Sequence, residues 1–239
     1  MEFAIVDIET TGSAPASAGI TEIAIVIHNG EEVTGKYVTL INPRQKIPPF
    51  IVNMTGISDD MVAEAPLFEE VAPHIYNLLN GRVFVAHNVS FDYSFVHYLL
   101  NKSGYQWSAP KLCTIRLSRK VFPGLKRYGL GALSQDLGIK IQGRHRAWGD
   151  AAATAQVLTM AIKKEGMQPI HYLLSKNNNN NKNRIFIFSL TFYFIATTPL
   201  CSSSLSVCER GCRKNRSLYL LLMWGEQRTE DVVIAPVRN

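Results

Sequence analysis

The spacing of apolar residues along positions 1–176 predicts alternating strands and helices. A nearly continuous apolar run over Phe3–Ile8 is typical of a central, buried strand. Glu22–Ile27 and Lys36–Ile41 are predicted as further strands, and Asn29-Gly30 between them favours a hairpin turn. A short fourth strand is predicted over Val83–Ala86.

Four stretches have apolar residues at helical spacing, three or four positions apart. These stretches are 68–78, 91–99, 130–137 and 150–164, and the last is predicted as a long helix that Asp150 opens. Strands come first, and helices then alternate with a short strand. This order predicts an α/β fold in which helices flank a mixed sheet.

The pattern changes abruptly at five consecutive asparagines, Asn177–Asn181. A polar homopolymer cannot bury a core, so we expect one domain over residues 1–176 and a linker with a disordered or poorly packed tail over 177–239. Beyond the asparagines, capping signals and apolar periodicity stop, while cysteines, serines and arginines scatter. One hypothesis is that this tail is an out-of-frame translation.

The out-of-frame hypothesis makes a specific prediction about the gene. Shifting the frame back by one nucleotide over Met223–Thr229 permits the sequence Tyr-Val-Gly-Arg-Ala-Lys-Asn, which resembles a motif of the GIY-YIG endonucleases. The match requires the Leu222 codon to end in T and the Glu226 codon to end in G. The nucleotide sequence decides it, because another base at either place removes the match.

Composition narrows the class of protein. Hydrophobic residues make up 46% of the chain and charged residues 18%, which excludes a wholly disordered or fibrous protein. The formal net charge of +6 suits a polyanionic partner. The four cysteines are too few and too unevenly placed for a disulfide framework.

The sequence also predicts where the protein works. The start, Met1-Glu2-Phe3, lacks a basic segment followed by an apolar one, so we expect a cytoplasmic protein. The apolar run Ile185–Ala196 has 12 residues, whereas spanning a bilayer takes roughly 20. Membrane insertion is therefore ranked below a disordered tail.

Acidic residues lie at the ends of three predicted elements. Asp7 and Glu9 end the first strand, and residues two apart in a strand point to the same face. Asp92 falls in the first turn of a helix that Ser90 is expected to cap. Each acid alone has an ordinary explanation: a solvated strand end for Asp7 and Glu9, and a favourable helix-dipole interaction for Asp92 and Asp150.

Taken together, the four acids favour a cation site. Oxygen-rich clusters suit Mg²⁺ or Mn²⁺, and two such ions activate a water and stabilise the leaving oxygen of a displacement at phosphorus. That reaction needs a base, and His145 lies in a polar, basic loop where a histidine accepts protons readily. The alternative for His145 is an ordinary surface histidine.

Three segments resemble the motifs of the DEDDh (DnaQ-like) 3′–5′ exonucleases, and most closely the proofreading epsilon subunits of bacterial DNA polymerase III. The segments are Asp7-Ile8-Glu9-Thr10-Thr11-Gly12, His87-Asn88-Val89-Ser90-Phe91-Asp92 and His145-Arg146-Ala147-Trp148-Gly149-Asp150. The resemblance implies a ribonuclease-H-like fold and 3′–5′ hydrolysis of nucleic-acid ends to nucleoside monophosphates.

The resemblance also implies roles for individual residues. Asp7, Glu9 and Asp150 would bind two Mg²⁺ or Mn²⁺ ions directly, Asp92 would hold the second ion mostly through water, and His145 would be the general base. The expected substrate is single-stranded DNA with a free 3′ end, in proofreading or repair, with a DNA polymerase subunit as a possible partner. The alternatives are a 3′–5′ exoribonuclease and a catalytically inactive, polymerase-associated nucleic-acid-binding module.

Substrate contacts are expected in three places. Thr10, Thr11 and Gly12 would bond the terminal nucleotide, and Asn88 would contact a phosphate. Met54 or Ile57 would press against a base, with burial in the core as the equal alternative. A set of basic residues would bind the strand backbone, or else form a solvated charged surface. This set is Arg116, Arg119, Lys120, Lys126, Arg127, Arg144 and Arg146.

Overall fold

A five-stranded mixed sheet forms the centre of residues 1–176, the part of the chain that this computed structural model describes. The strands are β1 (Phe3–Thr10), β2 (Ile20–His28), β3 (Val33–Leu40), β4 (Val83–Ala86) and β5 (Lys111–Cys113), in the spatial order β3-β2-β1-β4-β5. β1, β2 and β3 are antiparallel neighbours, whereas β4 and β5 run parallel to β1. The linker, the tail and the apolar run predicted after Lys176 lie outside the described residues.

Helices surround the sheet in the described residues. They are α1 (Pro49–Thr55), α2 (Asp59–Ala63), α3 (Phe68–Leu79), α4 (Val89–Lys102), α5 (Thr114–Val121), α6 (Leu130–Asp136) and α7 (Ala147–Glu165). Residues 168–176 are helical as well. α3 and α4 share one core cluster with the sheet, and α5 and α7 share another, so helices cover both faces. The predicted mixed sheet with flanking helices is confirmed.

The alternation of β1 determines where its acids point. Ala4, Val6 and Ile8 face the core under α3 and α4, while Phe3 and Ile5 face the core under α7. Asp7 and Glu9 continue the row of Phe3 and Ile5, because residues two apart in a strand share a face. The two carboxylates therefore emerge where the strand ends beside α7.

Two helix starts differ from the prediction. The long helix begins at Ala147, not at Asp150, because the Ala147 N–H donates to the Glu22 carboxylate at 2.8 Å and so starts the helix earlier. The N-cap position of α4 is Asn88, at φ 75° and without a side-chain capping hydrogen bond, and Ser90 lies inside the helix. Asp92 and Asp150 nevertheless lie in first helical turns, as expected.

The hairpin between β2 and β3 is explained by its turn residues. Asn29 Oδ1 accepts hydrogen bonds from the backbone N–H groups of Glu31 and Glu32, and Gly30 has a φ of 105° that favours glycine. Among the described helices, none has the length and apolar character needed to cross a bilayer.

Candidate active site

Three predicted acids meet at the end of β1. Asp7, Glu9 and Asp150 each place a carboxylate oxygen within 4.8 Å of the others. β1 supplies two of these side chains and the first turn of α7 supplies the third. The sheet face shared by β1 and α7 thus brings together residues that are more than 140 positions apart in the sequence.

The fourth acid, Asp92, lies beside this trio. Its side chain is on the first turn of α4 and only 4% exposed. The Asp92 carboxylate does not belong to the group of oxygens that lie within 4.8 Å of one another. Its charge nevertheless contributes to raising the pKa of Asp7. The arrangement is therefore three acids in close contact and a fourth, buried acid next to them.

Burial raises the pKa of all four acids, and repulsion by neighbouring acids raises it further for Asp7, Glu9 and Asp92. Burial raises the pKa of Asp7 well above its usual value, and the charges of Asp92 and Asp150 raise it further. Burial and the Asp150 charge raise the pKa of Glu9 to about 7. Burial raises the pKa of Asp92 to about 8 and also raises that of Asp150. Without a cation, the cluster therefore holds protons near neutral pH.

The cluster has the properties of a divalent-cation site. Its donors are carboxylate oxygens, the ligands that Mg²⁺ and Mn²⁺ prefer. Asp150 Oδ1 is buried and has no hydrogen-bond partner in the described residues. Buried polar atoms without a partner are rare and costly, so a cation would satisfy this oxygen and relieve the repulsion between the acids.

His145 lies in the turn immediately before α7. Its backbone is in the left-handed region, with φ 61°, which is unusual for a residue other than glycine. The backbone and charge of His145 both oppose the rise in the pKa of Asp150, which indicates that the two residues are close. A strained backbone next to buried acids is typical of a functional position.

Gly149 allows the His145 turn to lie against α7. A Cβ atom at this position would lie 2.2 Å from the carbonyl oxygen of Gln142 and 2.3 Å from that of Gly143. Both contacts are with backbone, so a side chain could not be accommodated by rotating a neighbouring side chain. Sequence analysis missed this role. A glycine inside a helix lowers helix stability by about 1 kcal/mol relative to alanine, so its presence there indicates a packing constraint.

We expect Gly149→Ala to lower kcat by roughly 10²-fold, because shifting the 142–145 turn by about 1 Å misplaces His145. The measurement is single-turnover cleavage of a labelled oligonucleotide, with circular dichroism to show that the protein remains folded. Gly35→Ala is a matched control, because its φ is not positive and its Cβ would make only an ordinary contact with Ile27 at 3.9 Å. Wild-type kcat in Gly149→Ala would show that the turn does not depend on this contact.

The hydroxyls of Thr10 and Thr11 are used inside the protein. Thr10 Oγ1 donates to the Gly12 carbonyl at 2.7 Å, and Thr11 Oγ1 accepts from the Gly19 N–H at 2.9 Å and from the Gln45 side chain. Both threonines are buried. These bonds fix the turn after β1 and engage both hydroxyls within the protein.

The two residues predicted to contact a base differ in exposure: Ile57 is buried and Met54 is exposed. Ile57 is fully buried among Ile47, Ile51 and Val62, which corrects the expectation that it contacts a base and places it in the core. Met54 is 49% exposed on α1. Phe50, one helical turn earlier and 68% exposed, extends the same apolar face and was missed by sequence analysis.

The predicted basic set does not form one uniform surface. Arg146 pairs with Glu22, with Nη2 to Oε1 at 2.6 Å, so it is not a free phosphate-binding group. Arg119 and Lys120 lie over the rings of Tyr128 and Tyr172. Arg127 and Arg144 line a shared cavity of about 360 Å³ with Gly129, Gly131, Ala132 and Gln135. Asn88 is exposed at the start of α4.

Comparison with known proteins gives a consistent result. The family model described as "Exonuclease" matches residues 4–158. The chain is 41% identical over 164 residues to the 3'-5' exonuclease DinG of Bacillus subtilis, covering 68% of this chain but 18% of that protein. It is 34% identical to the DNA polymerase III subunit epsilon of Aquifex aeolicus, covering 68% of this chain and 81% of the relative.

Two solved structures also resemble the chain. Exonuclease X, in complex with 5' overhanging duplex DNA, has a TM-score of 0.57 and 30% identity, covering 69% of this chain and 93% of that one. Exonuclease I with a dT13 oligonucleotide has a TM-score of 0.62 at 20% identity, which shows similarity of fold. The chain spans about a fifth of the length of the DinG relatives it matches.

Proposed function

This chain belongs to the exonuclease family, and from that premise we propose that it is a DEDDh-type, metal-dependent 3′–5′ exonuclease that acts on single-stranded DNA ends. The observation that carries the proposal is the carboxylate trio of Asp7, Glu9 and Asp150, with buried Asp92 beside it. These four neighbouring acids, of which Glu9 and Asp92 are buried, all have raised pKa values. Such a cluster is unfavourable for a fold by itself, and a bound cation would account for it.

Asp7, Glu9 and Asp150 would hold two Mg²⁺ or Mn²⁺ ions, with Asp92 completing the second site through water. When bound, the ions supply the positive charge that lowers the pKa of a water and stabilises the leaving oxygen. The chain itself supplies the rigidity: β1 and the first turn of α7 fix the carboxylates before substrate arrives. Such preorganised charge is effective because it needs no rearrangement during the reaction.

His145 would accept the proton of the attacking water at an imidazole nitrogen. A histidine suits this role because its unperturbed pKa is close to neutral. His145 lies two residues before α7 begins at Ala147 and five residues before Asp150. The left-handed backbone of His145 then serves to present the ring to the acid cluster.

The substrate's 3′ end would lie between the turn after β1 and α1. Gln45 joins the segment before α1 to Thr11, so the two parts of this site are in contact. Exposed Met54 and Phe50 offer apolar surfaces to a base, and stacking of this kind tolerates any sequence. Backbone groups around Gly12 and the exposed amide of Asn88 would bind phosphate or sugar oxygens.

Arg127 and Arg144 are proposed to bind the phosphodiester backbone of the substrate strand. We expect Arg127→Ala and Arg144→Ala each to raise KM, and to lower the slope of log KM against log salt by about 0.7, because each loses one phosphate contact. Steady-state cleavage at several salt concentrations measures both quantities. An unchanged salt slope would remove these residues from the substrate path.

The relatives support DNA as the substrate, since two of them are named as DNA polymerases and Exonuclease X was solved in complex with DNA. The polymerase names also support a proofreading role beside a polymerase, while the DinG exonucleases leave a repair role as the alternative. An inactive binding module is disfavoured because every acid of the cluster and His145 are present.

Digestion of matched 3′-labelled oligonucleotides tests the proposed substrate. One strand is DNA, one is RNA of the same sequence, and one is the DNA in a blunt duplex, all with Mg²⁺. We expect the single-stranded DNA to be degraded at least about 10-fold faster than either other substrate. Faster degradation of RNA would replace the proposal by an exoribonuclease, and equal binding without cleavage would indicate an inactive module.

A further inference from the structure

Glu22 is a buried acid next to the site that none of the proposed catalytic steps uses. It is 3% exposed and lies on β2, directly opposite Glu9 in the antiparallel register. Its carboxylate accepts three hydrogen bonds: from Arg146 Nη2 at 2.6 Å, from Arg146 Nε at 3.0 Å and from the Ala147 backbone N–H at 2.8 Å. Both oxygens are therefore occupied by one short stretch of chain.

The charge of Glu22 makes this position costly. It contributes to raising the pKa values of both Asp7 and Glu9, whereas Arg146 lowers that of Glu9. A buried ion pair usually stabilises a fold little more than an apolar pair of similar size. Another carboxylate beside four repelling acids is therefore poorly explained by stability, and a role in the geometry of the site explains it better.

The ion pair joins the sheet to the catalytic end of α7. Arg146 follows His145 directly, and Ala147 is the first residue of the helix that carries Asp150. The Arg146 N–H donates to the Gly143 carbonyl, and the Asp150 N–H donates to the Arg146 carbonyl, both at 3.2 Å. Fixing Arg146 and Ala147 on Glu22 thus restrains the strained His145 turn and the rotation of Asp150 about the helix axis.

We propose that Glu22 and Arg146 are positioning residues. Their bidentate ion pair, together with the hydrogen bond from the Ala147 N–H, fixes the positions of His145 and Asp150 relative to Asp7 and Glu9. The proposal rests on the exonuclease function proposed above. It also assigns Arg146 differently from the other arginines of the basic set, because its guanidinium is used inside the protein. Neither residue touches the substrate in this account.

The first test is Arg146→Lys, which keeps the charge but loses the planar pair of donors. We expect kcat to fall about 10–100-fold with KM and its salt dependence unchanged, and Mn²⁺ affinity, measured by calorimetry without substrate, to weaken about 10-fold. Arg127→Ala is the control for a phosphate contact, with raised KM and a smaller salt slope. Arg146→Lys with that same KM pattern, or with wild-type kcat and Mn²⁺ affinity, would overturn the proposal.

A double variant separates positioning from folding. Glu22→Gln with Arg146→Met removes the ion pair but keeps an amide oxygen that can accept the Ala147 N–H, and we expect a melting temperature near that of the wild type, since no buried charge is left unpaired. Reduced kcat and Mn²⁺ affinity in this stable protein support positioning; wild-type values would refute it. If the wild type itself cleaves nothing, the proposed function fails, while the Mn²⁺ affinities still report whether the ion pair positions the acids.

Discussion

Replacing Asp7 by Asn is expected to abolish cleavage and, at the same time, to stabilise the metal-free protein. Asn keeps the shape of Asp7 but removes a charge from the acid cluster, so we expect kcat/KM to fall by at least about 10³-fold. Removing one of several repelling charges is expected to raise the melting temperature in EDTA by roughly 2–8 °C. Gel-based cleavage and calorimetry measure the two effects.

The stability gain depends on pH in a defined direction. Folding raises the pKa of Glu9 from its ordinary 4.5 to about 7, so between these values the folded protein binds a proton that the unfolded chain has released. The metal-free wild type is therefore expected to lose stability as pH rises through this window, by about 3 kcal/mol for Glu9. Asp7→Asn is expected to flatten the decline, and saturating Mn²⁺ is expected to reverse it.

Asp60→Asn provides the matched control, because Asp60 is an exposed acid on α2. It should change neither cleavage nor the pH dependence of melting. Near-wild-type turnover in Asp7→Asn would refute the assignment of Asp7 as a metal ligand. A lower melting temperature in EDTA would show that the acids do not repel one another as their burial implies.

Replacing His145 by Ala is expected to lower kcat by roughly 10²–10⁴-fold with little change in metal affinity, as for a lost general base. The left-handed backbone at φ 61° complicates this substitution, because Ala disfavours that conformation. His145→Asn solves the problem: Asn tolerates positive φ but cannot take the proton at neutral pH. Both variants should lose a similar fraction of kcat in single-turnover cleavage.

Mn²⁺ titration of the same variants distinguishes the possible roles of His145. An unchanged Mn²⁺ affinity together with a low kcat supports the role of His145 as the general base. Collapse of metal binding in both variants would make His145 a ligand or a structural residue. A loss of kcat in His145→Ala that is absent in His145→Asn would show that the backbone conformation matters and the imidazole does not.

The ribonuclease-H-like fold was predictable because its main strands and helices have clear periodicity. Phe3–Ile8 and Val83–Ala86 are short, mostly apolar runs of the kind found in buried strands, and the structure contains both strands. β5, with three residues, and α2, with five, are too short to show a period. The four acids were predictable because their motifs place them at the end of a strand and at the starts of two helices. The topology of the sheet brings these ends of elements together.

Contacts that depend on tertiary structure were not predictable. Glu22 lies in an ordinary strand pattern, and nothing local indicates that its carboxylate begins α7 at Ala147. Gly149 is constrained by the carbonyls of Gln142 and Gly143, which approach only in the folded chain. Ile57 and Met54 are close in sequence and similarly apolar, so only the fold shows that one is buried and the other exposed.

The most direct test of the central claim is cleavage of one single-stranded DNA oligonucleotide, labelled at either end, by the 239-residue chain with Mg²⁺ or with EDTA. We predict stepwise shortening of the 5′-labelled strand and immediate release of labelled mononucleotide from the 3′-labelled strand. Both should require Mg²⁺ and vanish in Asp7→Asn. Internal fragments, release from the 5′ end first, or cleavage that persists in EDTA would contradict a metal-dependent 3′–5′ exonuclease.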